Sequence, residues 1–180
     1  KTMKLSNILP LEQWVEFEKE IHRRSGLNAS VFDADGAMIT DFQKWANRLC
    51  PVIKSNKNGQ RFICAAAHLN ISEQAKRTRK HVIEECDAGL VKFAVPVFVG
   101  KKFLGVVGGC GLLLKNSHVD SFLIHKMTGI DIEKIENLSK NIGVIADASL
   151  ESVIKYTQEQ IDLIRTSRTV NPSPPPAPGT

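Results

Sequence analysis

The chain has 180 residues, 42% of them apolar, and 24 basic against 19 acidic side chains, for a net charge of +5. That length carries one domain with a sizeable core and excludes two large ones; the apolar share excludes disorder throughout. The charge excess is mild and aromatic residues are only 6% of the chain, so no direct nucleic-acid contact is expected, because a nucleic-acid reader gathers basic residues with base-stacking aromatics between them.

The start, "KTMK", leads straight into an amphipathic pattern, with none of the regions of a signal peptide. No apolar run is long enough to cross a bilayer. A cytoplasmic location without membrane contact is therefore expected. "PLEQWVEFEKEIHRRSG" places Leu11, Trp14, Val15 and Ile21 near helical spacing, with Glu18 a polar break and Gly26 a stop. "LNASVFDADGAMITDF" reads as a hairpin with strands Leu27 to Phe32 and Ala37 to Thr40 around Asp33-Ala34-Asp35-Gly36. The aspartates lack the ligand series of an EF-hand loop, so the segment is a turn. "FQKWANRLCPVIKS" predicts a short helix broken near Pro51, and "NKNG" a turn. Helix is predicted from Phe62 to about Lys80; its basic run "AKRTRKH" is a solvated face.

"KHVIEECDAGL" leaves that helix for a sheet, and "VKFAVPVFVGKKFLGVVGGCGLLL" reads as two long antiparallel strands joined at Gly100-Lys101. Pro96 inside the first marks an edge or a bulge. Helices are predicted at about Asn116 to Met127, Ile132 to Lys140 and Ser149 to Arg168. In the last, Leu150, Val153, Ile154, Ile161 and Ile164 lie near coiled-coil spacing, interrupted by Thr157. That stripe offers a homodimer seam or an exit to an output domain; the alternative is packing on the sheet. "NPSPPPAPGT" reads as a linker or loose tail, which points to a further domain beyond it. The domain division is 1–169 for the folded module and 170–180 for the tail. The order of elements gives an α+β fold with an antiparallel sheet, helices covering one face and a long C-terminal helix. Small ligands can sit between such a sheet and its cover, as in PAS-like and GAF-like sensors.

Four cysteines, Cys50, Cys64, Cys86 and Cys110, are widely spaced and include no C-x-x-C pair, so the usual zinc signal is missing. Free cysteine also behaves as a small buried hydrophobe. Disulfides are disfavoured in a reducing cytoplasm. Cys110 stands between Gly109 and Gly111 in "VVGGCGLLL", where missing side chains mark a close approach or leave room for a bulky inorganic group. Gathered by the fold, four thiolates suit an iron–sulfur cluster or a tetrahedral zinc. Trp45, Phe62, His68 and Asp87 flank the cysteines and are further candidates for the pocket; His68 follows Cys64 by one helical turn. No G-x-S-x-G elbow, P-loop or H-E-x-x-H is present, so no enzyme is expected.

"GLNASVFDADGAMITDFQKWANRLCPVI", "NGQRFICAAAH" and "ECDAGLVKFAVPVFVGKKFLGVVGGCG" together resemble the PocR-type sensory domain, over roughly Leu9 to Ile164. The matching positions are Cys50, Cys64, Cys86 with Ala88-Gly89-Leu90, Ala94-Val95-Pro96, and Gly105 to Gly111. Three of the thiols fall at the family's cysteine positions. The resemblance implies a PAS-like module at the front of bacterial signalling proteins, a small-molecule ligand such as a hydrocarbon derivative, and an output domain. Joined to the cysteines, it leads to a sensor holding an iron–sulfur cluster or metal on the four thiols and answering to redox state, oxygen or a small ligand. The alternatives are a small-organic-molecule sensor whose cysteines only pack, a zinc-stabilised interaction module, and a cysteine enzyme.

Overall fold

The computed structural model describes residues 2–170; the expected tail, from 171 onward, lies outside the described residues. A sheet in the order β1-β4-β3-β2 forms the centre, from β1 (Asn28–Asp33), β2 (Val82–Glu85), β3 (Val91–Val99) and β4 (Lys102–Leu114), all antiparallel. β3 and β4 are the long hairpin expected around Gly100-Lys101. A short β5 (Val144–Ile145) adds in parallel beside Leu113 and Leu114; two residues are too few to carry a periodic signal.

Successive strand residues face opposite ways, and the two faces bury different layers. Ala29, Val31, Phe93, Val95 and Val107 face a core built with α2 (Leu11–Ser25) and α8 (Asp147–Val170). Trp14 of α2 is fully buried there, its Nε1 donating to the carbonyl of Leu5 at 3.2 Å. On the opposite face α5 (Ala66–Thr78) lays Ile71 and Ala75 on Ala94 and Val106. The expected helical cover is present, and the structure adds a second one behind the sheet. Pro96 lies beyond the last β2–β3 pair, Val82 with Ala94, so its missing N–H falls on a locally open edge of β3.

Three local expectations need correction. The turn after β1 forms, with Asp33 Oδ1 accepting from the N–H of Asp35 at 2.9 Å and Ala37 at 3.0 Å. Its second arm is not a strand, since only Met38 bridges back to Phe32. Thr40 donates to Glu18 of α2 and the Lys44 N–H donates to Asn28 Oδ1, which draw the chain across the end of the sheet. Pro51 does not break its helix: it lies in the first turn of α3 (Leu49–Ser55), where no intrahelical donor is required. The "NKNG" segment is helical, because Asn56 accepts from the Gly59 N–H and caps α4 (Lys57–Gly59). α4 runs into a π-helical segment, Gln60–Ala65, and then into α5. α1 (Leu5–Ile8), α6 (Ser121–Thr128) and α7 (Ile132–Ser139) complete the helices of the described residues.

The stripe on α8 is spent inside the chain. Leu150, Val153, Ile154 and Ile161 are buried in the core shared with α2 and the sheet. Thr157, also buried, donates to the Val153 carbonyl at 2.7 Å, which explains how a hydroxyl sits in an apolar seam. The homodimer seam expected along this stripe is therefore occupied by the chain's own core. Ile161→Ala is expected to lower unfolding free energy by about 2–5 kcal/mol with no change in oligomeric state. Urea denaturation and light scattering check the two halves of that expectation.

Candidate functional site

β4 carries one residue more than β3 across the stretch that holds Cys110. Pairing steps from Val91 with Leu112 to Lys92 with Cys110, leaving Gly111 as the extra residue of a bulge. Gly111 has φ of 108°, and a Cβ there would stand 2.9 Å from the Cβ of Ala46. Both facts require glycine. The close approach brings in the segment before α3. Asn47 Nδ2 donates to the Gly111 carbonyl at 2.6 Å and to Cys50 Sγ at 3.1 Å, while its Oδ1 accepts from the Cys50 N–H at 2.7 Å. Gly109 serves the other face: a Cβ there would meet Leu27 and Phe93 in the core. Its missing side chain therefore leaves no room for an inorganic group, contrary to expectation.

A cavity of about 240 Å³ lies between the sheet and the helical layer, and all four cysteines line it. Cys110 comes from β4, Cys50 from the first turn of α3, Cys64 from the π-helical segment, and Cys86 from the turn between β2 and β3. None is in a disulfide. Cys50, Cys64 and Cys86 also pack on a small apolar cluster that includes Leu49, Ile53, Ile63 and Leu90. The floor is a cross-strand row, with Cys110 between Asn28 of β1 and Lys92 of β3.

Of the other candidates, His68 lines the cavity at 6% exposure and Trp45 stands at its wall, 37% exposed. Two are not brought in. Phe62 points outward, 45% exposed, with the Arg61 guanidinium over its ring, and the adjacent Ile63 takes the wall position. Asp87 is exposed on the turn after Cys86 and is not part of the lining. Both errors come from judging by nearness in sequence, because adjacent residues in a helix or turn point in different directions. Lys54, Lys92, Asn28, Ser30 and Asn47 were missed. The signal for two of them was available: "NASVF" alternates polar and apolar residues, so Asn28 and Ser30 had to share a face away from the core.

Burial pushes the Cys50 thiol well up, and the nearby Cys110, Cys86 and Cys64 add to it against the Asn47 bond. Cys64 is pushed up to about 11 by burial and by Cys110 and Cys86, with Lys54 and Lys92 opposing. Cys86 is raised by burial, opposed by backbone hydrogen bonds from Leu90 and Ala88. These three thiols are neutral at pH 7. Among the described residues no three His, Cys, Asp or Glu side chains stand close enough to hold a metal ion. A preassembled single-ion site, as for tetrahedral zinc with Zn–S near 2.3 Å, is therefore not present.

A half-open sheet, a helical cover and a partly open cavity of ligand size between them make the architecture of a sensory module. The sensory domain found in PocR matches residues 7–168 of the chain, and the chain belongs to that family. It is thus a signalling module, in keeping with the resemblance read from the sequence. No curated protein and no solved structure matches it. No helix among the described residues is long and apolar enough to cross a membrane.

Two expectations follow. Asn47→Ala leaves the Gly111 carbonyl without its donor and the α3 start without its tie; a loss of about 1–3 kcal/mol in urea denaturation is expected, with faster alkylation of Cys50. The second concerns Glu18, fully buried on α2 and raised to about 7 by burial, with the Thr40 bond opposing. The folded state holds that proton more tightly than the unfolded chain, with its value of 4.5. The stability it contributes is full below pH 4.5 and is lost as pH rises to about 7. Glu18→Gln is expected to remove that slope, by up to about 3 kcal/mol, in melts compared between acid and neutral pH.

Proposed function

We propose that this module senses through its cysteine-lined cavity, with Cys50, Cys64, Cys86 and Cys110 as ligands to an iron–sulfur cluster. The observation that carries the reading is the convergence of thiols from four separated segments on one cavity. Packing needs no such convergence. Three further features fit the donor set. The thiols surround a void without forming a tight triad, which suits a polynuclear group better than one ion. N–H donors reach two of the sulfurs, from Asn47 to Cys50 and from the Leu90 and Ala88 backbone to Cys86; hydrogen bonds to sulfur tune such centres. Lys54 and Lys92 line the same cavity and complement the charge of thiolate ligands.

The chain's own residues do three things. Burial and mutual proximity keep the free thiols of Cys50, Cys64 and Cys86 protonated, so ligation releases protons and is favoured by rising pH. Asn47 fixes Cys50 to the β4 bulge, setting the spacing between two of the ligands. Cys110 pairs with Lys92 near one end of the β3–β4 ladder and Cys86 lies in the turn that leads into β3, so a change at the cavity reaches the sheet that also packs on α8. When bound, the cluster supplies a centre whose charge and ligation respond to electrons or oxygen. The output lies in a further domain of the full-length signalling protein, reached through α8, and this module senses without turnover.

Protein purified without air is expected to contain iron and acid-labile sulfide in equal amounts, with visible charge-transfer absorption that bleaches on a redox change. Serine at any one of the four positions should lower the iron content several-fold. A colourless protein, free of metal even after anaerobic reconstitution with ferrous iron and sulfide, overturns the cluster and leaves an organic-ligand sensor.

A further inference from the structure

The same cavity has a second polar feature beside the thiols, where Lys92 pairs across from Cys110 and His68 lies one helical turn beyond Cys64. His68 is 94% buried by its 6% exposure, and neither Nδ1 nor Nε2 has a hydrogen-bond partner among the described residues. Its ring stacks on Phe32 at 3.8 Å between centroids, and the turn at Gly36 closes over its other side, a Cβ position there lying 3.7 Å from Nε2. An imidazole held so firmly with both nitrogens unmet carries a penalty that the fold itself does not relieve. Lys92 reaches into the same space, its Nζ 5.4 Å from the Phe32 centroid. Among the described residues Lys92 makes no ion pair. A buried donor–acceptor ring and an unpaired ammonium on one apolar wall form an incomplete set, and the missing member is an anion.

We propose that the His68–Lys92 region of the cavity is a subsite for the carboxylate of a small organic acid, whose alkyl part lies along Phe32 and Leu69. The proposal rests on the cavity being a ligand site and does not depend on the cluster. The ring is neutral at pH 7, because burial and the Lys92 ammonium push His68 down to about 4 against the pull of Asp33. It therefore offers one N–H, and Lys92 supplies the charge. Ser30 and Asn28 add hydroxyl and amide groups on the floor. Asp33 forms no ion pair with Lys92; its Oδ1 accepts from the turn N–H groups of Asp35 and Ala37. The cavity's volume of about 240 Å³ limits the guest to a short chain.

The test uses the full chain purified without air, titrated calorimetrically with butyrate, and with butyramide and 1-butanol as neutral isosteres. Saturable butyrate binding is expected, at least tenfold tighter than either isostere and at least tenfold weaker in Lys92→Gln and in His68→Gln. Ring nitrogen chemical shifts of His68 should move on butyrate addition to the native protein, a readout that needs no variant to fold. No saturable butyrate binding, equal binding of butyramide, or binding that neither moves the His68 ring nor responds to Lys92→Gln each overturns the subsite. Iron and sulfide content, measured on the same preparation, reports separately on the cluster: a metal-free protein that binds butyrate keeps the subsite and removes the cluster, and the converse holds.

Discussion

One side-chain amide holds the site together. Asn47 joins three things the chain keeps 64 residues apart or more loosely ordered: the carbonyl of the β4 bulge, the N–H that opens α3, and the sulfur of Cys50. Its three bonds are saturated and short, and the surface between them is closed by a glycine that no other residue replaces. Without the bulge the carbonyl at Gly111 would belong to the β3–β4 ladder and could not be offered to a loop. Without the amide, α3 would have no fixed distance from the sheet. The gap between sheet and helices, and hence the cavity, is set by this contact.

The chemistry of the cavity then follows from which face each strand residue takes. Register places Lys92, Cys110 and Asn28 abreast across three strands, all on the cavity face, while Phe93, Gly109 and Ala29 pack into the α2–α8 core behind them. A shift of one residue in β4 would turn Cys110 toward the α2–α8 core and leave a glycine on the cavity face. The bulge beyond Cys110 confines such irregularity to one point. Charge and thiol are thus gathered without cost to the main core, because the layer they lie in is separate. Three of the thiols pack on a satellite cluster around Leu49, Ile53 and Ile63, not on the Trp14 core.

Most of the framework was legible in the sequence because it is written in periodicity: α2 with its closing Gly26, the β3–β4 hairpin and α8 all carry long repeats. The failures share another cause. The arm after Gly36, the position of Pro51 and the entry to α5 are decided by side chain to backbone bonds from Asn28, Asn47 and Asn56, which leave no periodic trace. The convergence of the cysteines could be guessed from element order, but not which neighbours would share the cavity. Asp87 and Phe62 are adjacent to lining residues and point away; Lys92 and Asn28, 18 and 82 residues before Cys110 in sequence, stand beside it in the sheet. The stripe on α8 shows the limit of pattern alone, since a seam that packs on a partner and one that packs at home have the same spacing.

The layering also decides what kind of signal such a module can pass. A ligand moves an equilibrium only by as much as it binds one arrangement better than the other. The cavity is lined by residues of α3, the π-helical segment, α5 and three strands, but by none of α2 or α8. Any difference in contacts there falls on the satellite layer around Leu49, Ile53 and Leu90, where the π-helical segment departs from regular helical bonding. α8 sits on the reverse of the same strands, anchored through Val91, Phe93 and Val95 in β3, the strand whose alternate residue Lys92 faces the cavity. A displacement of β3 is thus felt on both faces at once, since neighbouring residues of one strand cannot move independently. The well-packed core joins β3 and α8 into one layer, and the bulge at Gly111, held by Asn47, ties that layer to the start of α3.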